Sequence, residues 1–256
     1  MRGCITLLGL LLAWQALVWS TGVPPYLLPA PGQVAITAWE AAPRLLAHGL
    51  VTATEIVLGF LLGGVLGLAT ALLLARFRLA RRWLLPLLVL SQALPVFALA
   101  PLLVLWLGYG LASKVAMAVL IIFFPVTAAG YDGLRRTEPG WLDLAHTLGA
   151  SRWTILWQLR LPAALPALAS GLRIAAAVAP IGAVVGEWVG ASRGLGFLML
   201  QANGRMQVDL MFAALALLSL IALGFYFGVD RLLRRLVYWQ PETLTSGGDR
   251  HDDNAF

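Results

Sequence analysis

The chain has 256 residues, 60% of them hydrophobic and 12% charged, with a formal net charge of +6. A soluble domain carries about a quarter of its residues charged; half that fraction, gathered into long uncharged stretches, makes lipid the main solvent. The single cysteine, Cys4, excludes an internal disulfide framework and a multi-cysteine metal site. The positive balance needs no nucleic acid, because no basic patch interleaves with a soluble fold.

The first apolar run, Ile5–Trp19, follows Arg2. It reads either as a retained helix or as a cleaved signal. No small-x-small pattern follows, since the chain continues Val18-Trp19-Ser20-Thr21, so a retained helix is expected. Cys4 precedes the run, which argues against a lipoprotein anchor. Both readings put residues 21–48 outside. Pro24, Pro25, Pro29, Pro31 and Gly32 make the first half of that segment irregular, and Val34–His48 reads as a short amphipathic helix at the interface.

The second run, Val51–Ala75, contains only Glu55, and a tight basic inner loop at 76–82 follows it. The third, Trp83–Tyr109, has no charge but holds Pro86, Pro95 and Pro101, tolerable where neighbours satisfy the freed carbonyls. A short outer turn at Gly108-Tyr109-Gly110 leads to the fourth run, Val115–Tyr131, so these two spans form a helical hairpin. Residues 132–162 make one large inner loop. The fifth run, Ala163–Val189, carries Arg173 and Glu187; Arg173 is expected to snorkel to the inner surface. The outer stretch Gly190–Asp209 has four glycines and an apolar centre, Phe197–Leu200, which reads as a re-entrant or interfacial helix. The sixth run, Leu210–Val229, is uncharged, and the polar tail from Thr243 reads as disordered.

A spanning helix needs about 20 residues. The expected fold is therefore an all-α integral membrane protein with six transmembrane helices. It divides into residues 1–48 (first helix and outer segment), 49–240 (a five-helix core with the loop 132–162) and 241–256 (a polar tail). With both termini inside, only Arg44, Lys114, Arg193 and Arg205 of the 18 basic residues lie outside, the bias that orients membrane proteins. Trp39, Tyr109 and Trp188 near outer ends, and Trp83, Tyr238 and Trp239 near inner ends, read as interface belts.

The chain has one lysine, Lys114, at the outer side, so it has no P-loop lysine to hold nucleotide phosphates. Its three histidines, His48, His146 and His251, fall on different sides and do not converge on zinc. No Ser/His/Asp arrangement is evident, and no enzymatic activity is expected. An ion-coupled carrier is the rival of a different class. Such carriers need polar groups at mid-membrane, and this chain offers Gln15, Ser91, Gln92 and Glu187. Ser91, Gln92 and Glu187 are candidates for a translocation path; Glu187 reads equally as a hydrogen bond between helices.

The inner loop is the most informative segment. Pro139 suits a helix start, and Trp141, Leu144, Ala145 and Leu148 then share one face. Gly149 can take the left-handed turn that stops this helix, and Ser151 can cap a second one. Trp153, Leu156 and Trp157 give that helix its own apolar face, and Pro162 is expected to end it. These faces serve either another protein or the inner ends of the chain's own spans.

The spacing of this loop resembles the EAA loop of binding-protein-dependent ABC importers: Glu-Ala-Ala, three residues, Gly, nine residues, Ile-x-Leu-Pro. Asp143, Leu144 and Ala145 take the first three places, Gly149 follows three residues later, and Leu159, Leu161 and Pro162 follow after nine more. Aspartate replaces glutamate, and leucine replaces one alanine and the isoleucine. The resemblance implies an EAA-type coupling-helix loop that docks on a separate cytoplasmic ABC ATPase, with Asp143, Ala145, Gly149, Ser151, Arg152, Trp153, Leu161 and Pro162 at the contact. Asp143 has an alternative role beside its helix dipole, and Arg152 and Arg160 one beside anionic lipid heads. ATP would be bound by that partner, with no cofactor in this chain. An extracytoplasmic substrate-binding protein would deliver the solute, and two permease copies would pair as a homodimer, multi-pass in the bacterial inner membrane.

Phe124-Pro125 through Arg136, Gly171-Leu172-Arg173 and Gly186-Glu187-Trp188 look like the nitrate, sulfonate and taurine branch of that family. Gly190-Ala-Ser-Arg-Gly-Leu-Gly196, Met206-Gln207 through Phe212 and Arg234 through Pro241 are similar to permeases for thiamine-precursor pyrimidines such as hydroxymethylpyrimidine. The resemblance therefore implies import of a small pyrimidine, with an alkanesulfonate, taurine or nitrate as the alternative cargo.

Overall fold

The structure, a computed structural model, describes residues 2–239 and, for residues 2, 3, 4 and 7, the backbone alone. The tail expected from Thr243, with Arg250 and His251, lies outside the described residues. Every regular element among the described residues is helical. In order these are α1 (Arg2–Thr21), α2 (Pro31–Glu40), α3 (Ala42–Arg76), α4 (Arg78–Ser91), α5 (Ala100–Leu107), α6 (Leu111–Arg135), α7 (Pro139–Thr147), α8 (Arg152–Thr154), α9 (Leu161–Gly190), α10 (Leu195–Gly204) and α11 (Val208–Leu236). A 3-10 turn, Val96–Leu99, precedes α5, and a π-helical turn, Ile155–Arg160, joins α8 to α9.

Four of these are long and apolar enough to cross a membrane: α3, α6, the continuous run Arg152–Gly190, and α11. A fifth is the pair Arg78–Ser91 and Val96–Leu107, bent by 94°, if the pair is one span. The apolar part of α1, Leu8–Thr21, is shorter than a full span.

Close approach of α3, α6 and α9 builds the centre. Lipid tails are as apolar as leucine, so helices in a bilayer associate through tight packing of small residues. Gly59, Gly63 and Gly67 recur every fourth residue and present one backbone face of α3 to α6. A Cβ on Gly63 would lie 2.8 Å from Ile122, and one on Gly67 would lie 2.8 Å from Val126. On the other side of α6, a Cβ on Gly182 of α9 would lie 2.7 Å from the Ala118 backbone. Ile56, Ala118, Ile122, Val126, Ala175, Ala179 and Ala183 fill this centre, and Phe60 meets Phe225 of α11 edge-on at 5.2 Å. The outward faces of α3 and α11 carry exposed Leu61, Val65, Leu66, Leu220, Leu223 and Phe227, a surface that suits lipid.

Several sequence expectations are corrected. Residues 34–48 do not form one helix: α2 ends at Glu40, and residues 42–48 open the 35-residue α3. The inner loop at 76–82 shrinks to one extended residue, Phe77, and the arginines beyond it start α4. The uncharged run Trp83–Tyr109 does not make a single straight span. Pro95 cannot donate to the helical ladder and disfavours helix at Leu94, so the chain turns sharply there. Arg173 has a protein partner that its position in the run does not announce: its Nε donates to Asp230 Oδ1 at 2.6 Å, tying α9 to α11. Pro162 does not end the second loop helix. The Leu161 amide bonds back to Leu156 O, a wider π-type turn; Pro162 follows at the first turn beyond it, where a missing amide is tolerated, and the helix runs on to Gly190.

Candidate functional site

The loop forms an elbow. Gly149 has φ +73, the left-handed conformation that closes α7. Around it the Ala150 amide donates to Ala145 O at 2.9 Å and the Gly149 amide to His146 O at 3.0 Å. These paired bonds satisfy the last carbonyls of α7. Ser151 then caps the next turn, its Oγ accepting from the Thr154 amide at 3.1 Å. Trp141 Nε1 donates to Glu138 at 3.0 Å. The expected apolar faces point outward: Trp141, Trp153 and Trp157 are 57%, 54% and 50% exposed, and Leu148 is 77% exposed. Between the two arms lies a cleft of about 260 Å³ lined by Trp141, Leu144, Ala145, Leu148, Thr154 and Ile155. Asp143 and Arg152 are exposed beside it. Leu161 and Pro162 lie past the π turn, at the root of the elbow. Only Ile155 and Leu156 of this stretch are buried, Leu156 among Leu74, Leu134 and Ala164.

The elbow is joined to the centre twice. It runs without a break into α9. It is also touched by the end of α3, where the Arg76 guanidinium lies 5.4 Å from the Trp153 ring centre and 5.1 Å from that of Phe77.

At the opposite end of α3 and α9 sits a buried polar cluster around α10. Glu187 is 1% exposed. Its Oε1 accepts from Thr52 Oγ1 at 2.6 Å, and its Oε2 accepts from the Gly196 amide and, at 3.3 Å, from the Phe197 amide. Thr52 Oγ1 accepts from the Leu195 amide at 2.8 Å, and His48 Nδ1 accepts from the Gly194 amide at 3.0 Å. Gly194 has φ +115, and a Cβ there would collide with the Glu187 carboxyl. The first amides of a helix have no partner within the helix. Those of α10 are all taken by side chains of α3 and α9, with a carboxylate at the positive end of the helix dipole.

Lys114 caps the neighbouring helix end with the opposite sign. Its Nζ donates to Gly190 O at 2.9 Å, and to Tyr109 O and Gly110 O at 2.8 Å. Glu55, 1% exposed, brings its carboxyl beside that of Glu187. Further ties hold this end: Thr37 Oγ1 donates to Asp209 Oδ2 at 2.9 Å, and Arg44 donates to Gln201 Oε1.

The three candidate path residues do not meet. Ser91 and Gln92 are exposed at the bend between α4 and α5, Ser91 Oγ donating to Leu88 O at 2.7 Å, whereas Glu187 is enclosed under α10. Sequence reasoning passes over His48, Thr52 and Glu55. Their signal is present: positions 48, 52 and 55 fall on one face of a helix inside an apolar run. Arg76 gives no signal beyond its sign.

Residues 41–238 match the family described as "Binding-protein-dependent transport system inner membrane component". The chain belongs to that family. It is an importer permease and not an enzyme. A probable ABC transporter permease protein of Haemophilus influenzae is 58% identical over 90% of this chain and 94% of its own length. The riboflavin transport system permease protein of Chloroflexus aurantiacus is 41% identical, covering 92% and 89%. The formylaminopyrimidine transport permease protein of Halalkalibacterium halodurans is 39% identical, covering 85% and 88%. The taurine transport system permease protein of Escherichia coli is 32% identical, covering 93% and 89%. Among solved structures, an inward-facing MetNI methionine ABC transporter chain matches with a TM-score of 0.66 at 21% identity, over 77% of this permease and 98% of that chain. That likeness concerns the fold alone.

Proposed function

We propose that this permease forms, as a homodimer, the membrane path of an ATP-driven importer for a thiamine-precursor pyrimidine. In this reading the chain crosses the membrane six times, with α1 as the first span, the bent α4–α5 pair as one span, and both termini and the elbow inside. The observation that carries it is the elbow. Three half-exposed tryptophans and a small apolar cleft, held in fixed geometry by the Gly149 turn, fit a partner protein better than solvent. The partner is a cytoplasmic ATPase that binds and hydrolyses the nucleotide. Its closure on ATP pushes the elbow, and the spans move between inward-open and outward-open states. Asp143, Arg152 and Trp153 sit on the exposed rim, Ala145 lines the cleft, Gly149 and Ser151 shape it, and Leu161 and Pro162 join it to α9. An external binding protein delivers the solute, and Ser91 and Gln92 lie at the broken span, where discontinuous helices line substrate paths.

The pyrimidine cargo is supported by the formylaminopyrimidine relative and by the residues 190–196 and 206–212. The taurine relative supports a sulfonate as the second reading. Affinity purification of the permease should bring down an ATPase that has a P-loop, and its absence would sink the ATP-driven reading. Titration calorimetry on the cognate binding protein with hydroxymethylpyrimidine, formylaminopyrimidine and taurine decides the cargo; binding of taurine alone would replace the pyrimidine assignment.

A further inference from the structure

Glu187 and Thr52 belong to no apolar packing layer, yet both are fully buried and fully bonded. Their placement gives them a mechanical task. The amides of residues 194–197 at the start of α10 are held by His48 and Thr52 from α3 and by Glu187 from α9. Thr52 is the keystone, because its hydroxyl donates to Glu187 and accepts from Leu195 at once. It therefore bonds α3, α9 and α10 through a single atom. Thr52 and Glu187 are shut off from solvent, so no water stands ready to replace these bonds when they break.

The same two helices reach the elbow at their other ends. The run Arg152–Gly190 is continuous over 39 residues, and α3 ends at Arg76 against Trp153. Thr52 and Arg76 are 24 positions apart, about 36 Å along a helix. Between them α3 and α9 are pinned to α6 by backbone approaches at Gly63, Gly67 and Gly182 that leave no room for a side chain. Such packing transmits displacement without yielding.

We propose that Thr52 and Glu187 are positioning residues for transport: they lock α10 to α3 and α9, so that α10 moves as one body with the elbow on the opposite side of the membrane. The inference rests on the ATP-driven reading above and adds a device to it.

The test uses the complete transporter, with its ATPase and binding protein, reconstituted in liposomes, and reads solute moved per ATP hydrolysed. Thr52→Val keeps the shape and removes the hydroxyl; Thr52→Ser keeps the hydroxyl. The expected result is that Thr52→Val, which loses both bonds of the hydroxyl, retains ATP hydrolysis but loses about tenfold or more in solute moved per ATP, and that Thr52→Ser restores the wild-type ratio. An unchanged ratio in Thr52→Val overturns the proposal. So does a parallel fall of hydrolysis and uptake that Thr52→Ser fails to rescue. If Thr52→Val does not assemble, spin labels at Leu50→Cys and Asn203→Cys in a Cys4→Ser chain give the second reading. Their distance within one protomer should stay the same between nucleotide-free and ATP-trapped states, and a change refutes the locking. Absence of ATP-dependent uptake in the wild type would instead refute the ATP-driven reading itself.

Discussion

The two ends of α3 and α9 treat their unpaired surface in opposite ways. At the α10 end each exposed helix amide finds a side chain of this same chain, and two carboxyls and an ammonium are enclosed. At the elbow the backbone is equally well capped, by Gly149 and Ser151, but the apolar side chains face outward. A segment whose helix amides are satisfied from within the chain is part of the machine's frame. One that completes its backbone and leaves its tryptophans open is built for a second protein.

The contrast can be broken from the α10 end most strongly. Glu187→Ala strands the amides of Gly196 and Phe197 and leaves the Thr52 hydroxyl only the longer bond to His48 O, at 3.3 Å. At about 1 kcal/mol or more for each of the two unsatisfied amides, stability should fall by at least about 2 kcal/mol, read as a lowered midpoint in detergent unfolding; a midpoint equal to wild type would mean the cluster does not hold α10. Trp157→Ala at the elbow should do the reverse. Its side chain is half exposed, so the permease should unfold as wild type, while affinity for the ATPase falls by about 2 kcal/mol, the scale of an aromatic interface anchor, in a pull-down titration. A stability loss smaller than that of Glu187→Ala is expected at Gly149. No atom lies near the position of a Cβ, so Gly149→Glu costs about 1–2 kcal/mol for its left-handed backbone. The protein should still insert, yet the bent elbow should lose ATP-driven uptake; normal uptake would show that the turn is not needed for docking.

Much of the elbow is legible in the amino-acid order. Its spacing, from Asp143 to Pro162, sits on local chemistry: a glycine that must be left-handed and a serine that caps. The helix centred on Phe197–Leu200 is legible for the same reason, as an apolar core between glycines. What escapes is decided by partners distant in sequence. The fate of Glu187 depends on Thr52, 135 positions away. Arg173 reads as a snorkelling side chain because Asp230, on α11, cannot be paired with it from spacing. Pro162 reads as a stop because proline usually ends a helix, and the widened turn before it leaves no mark of its own on the composition. The bend at Gln92–Pro95 is half visible, since the prolines are plain and the 94° angle is not.

That widened turn, Ile155–Arg160, has a geometric consequence. Each residue of an α-helix advances the side chains by about 100°, and a π turn is a one-residue insertion in that count. The azimuth at which the tryptophans project is therefore offset from the stripe that α9 buries against α6, although both lie on one uninterrupted rod. The extra residue works like a keyway cut into a shaft: it fixes the angle at which the handle meets the axle, and evolution can re-aim one without recutting the other.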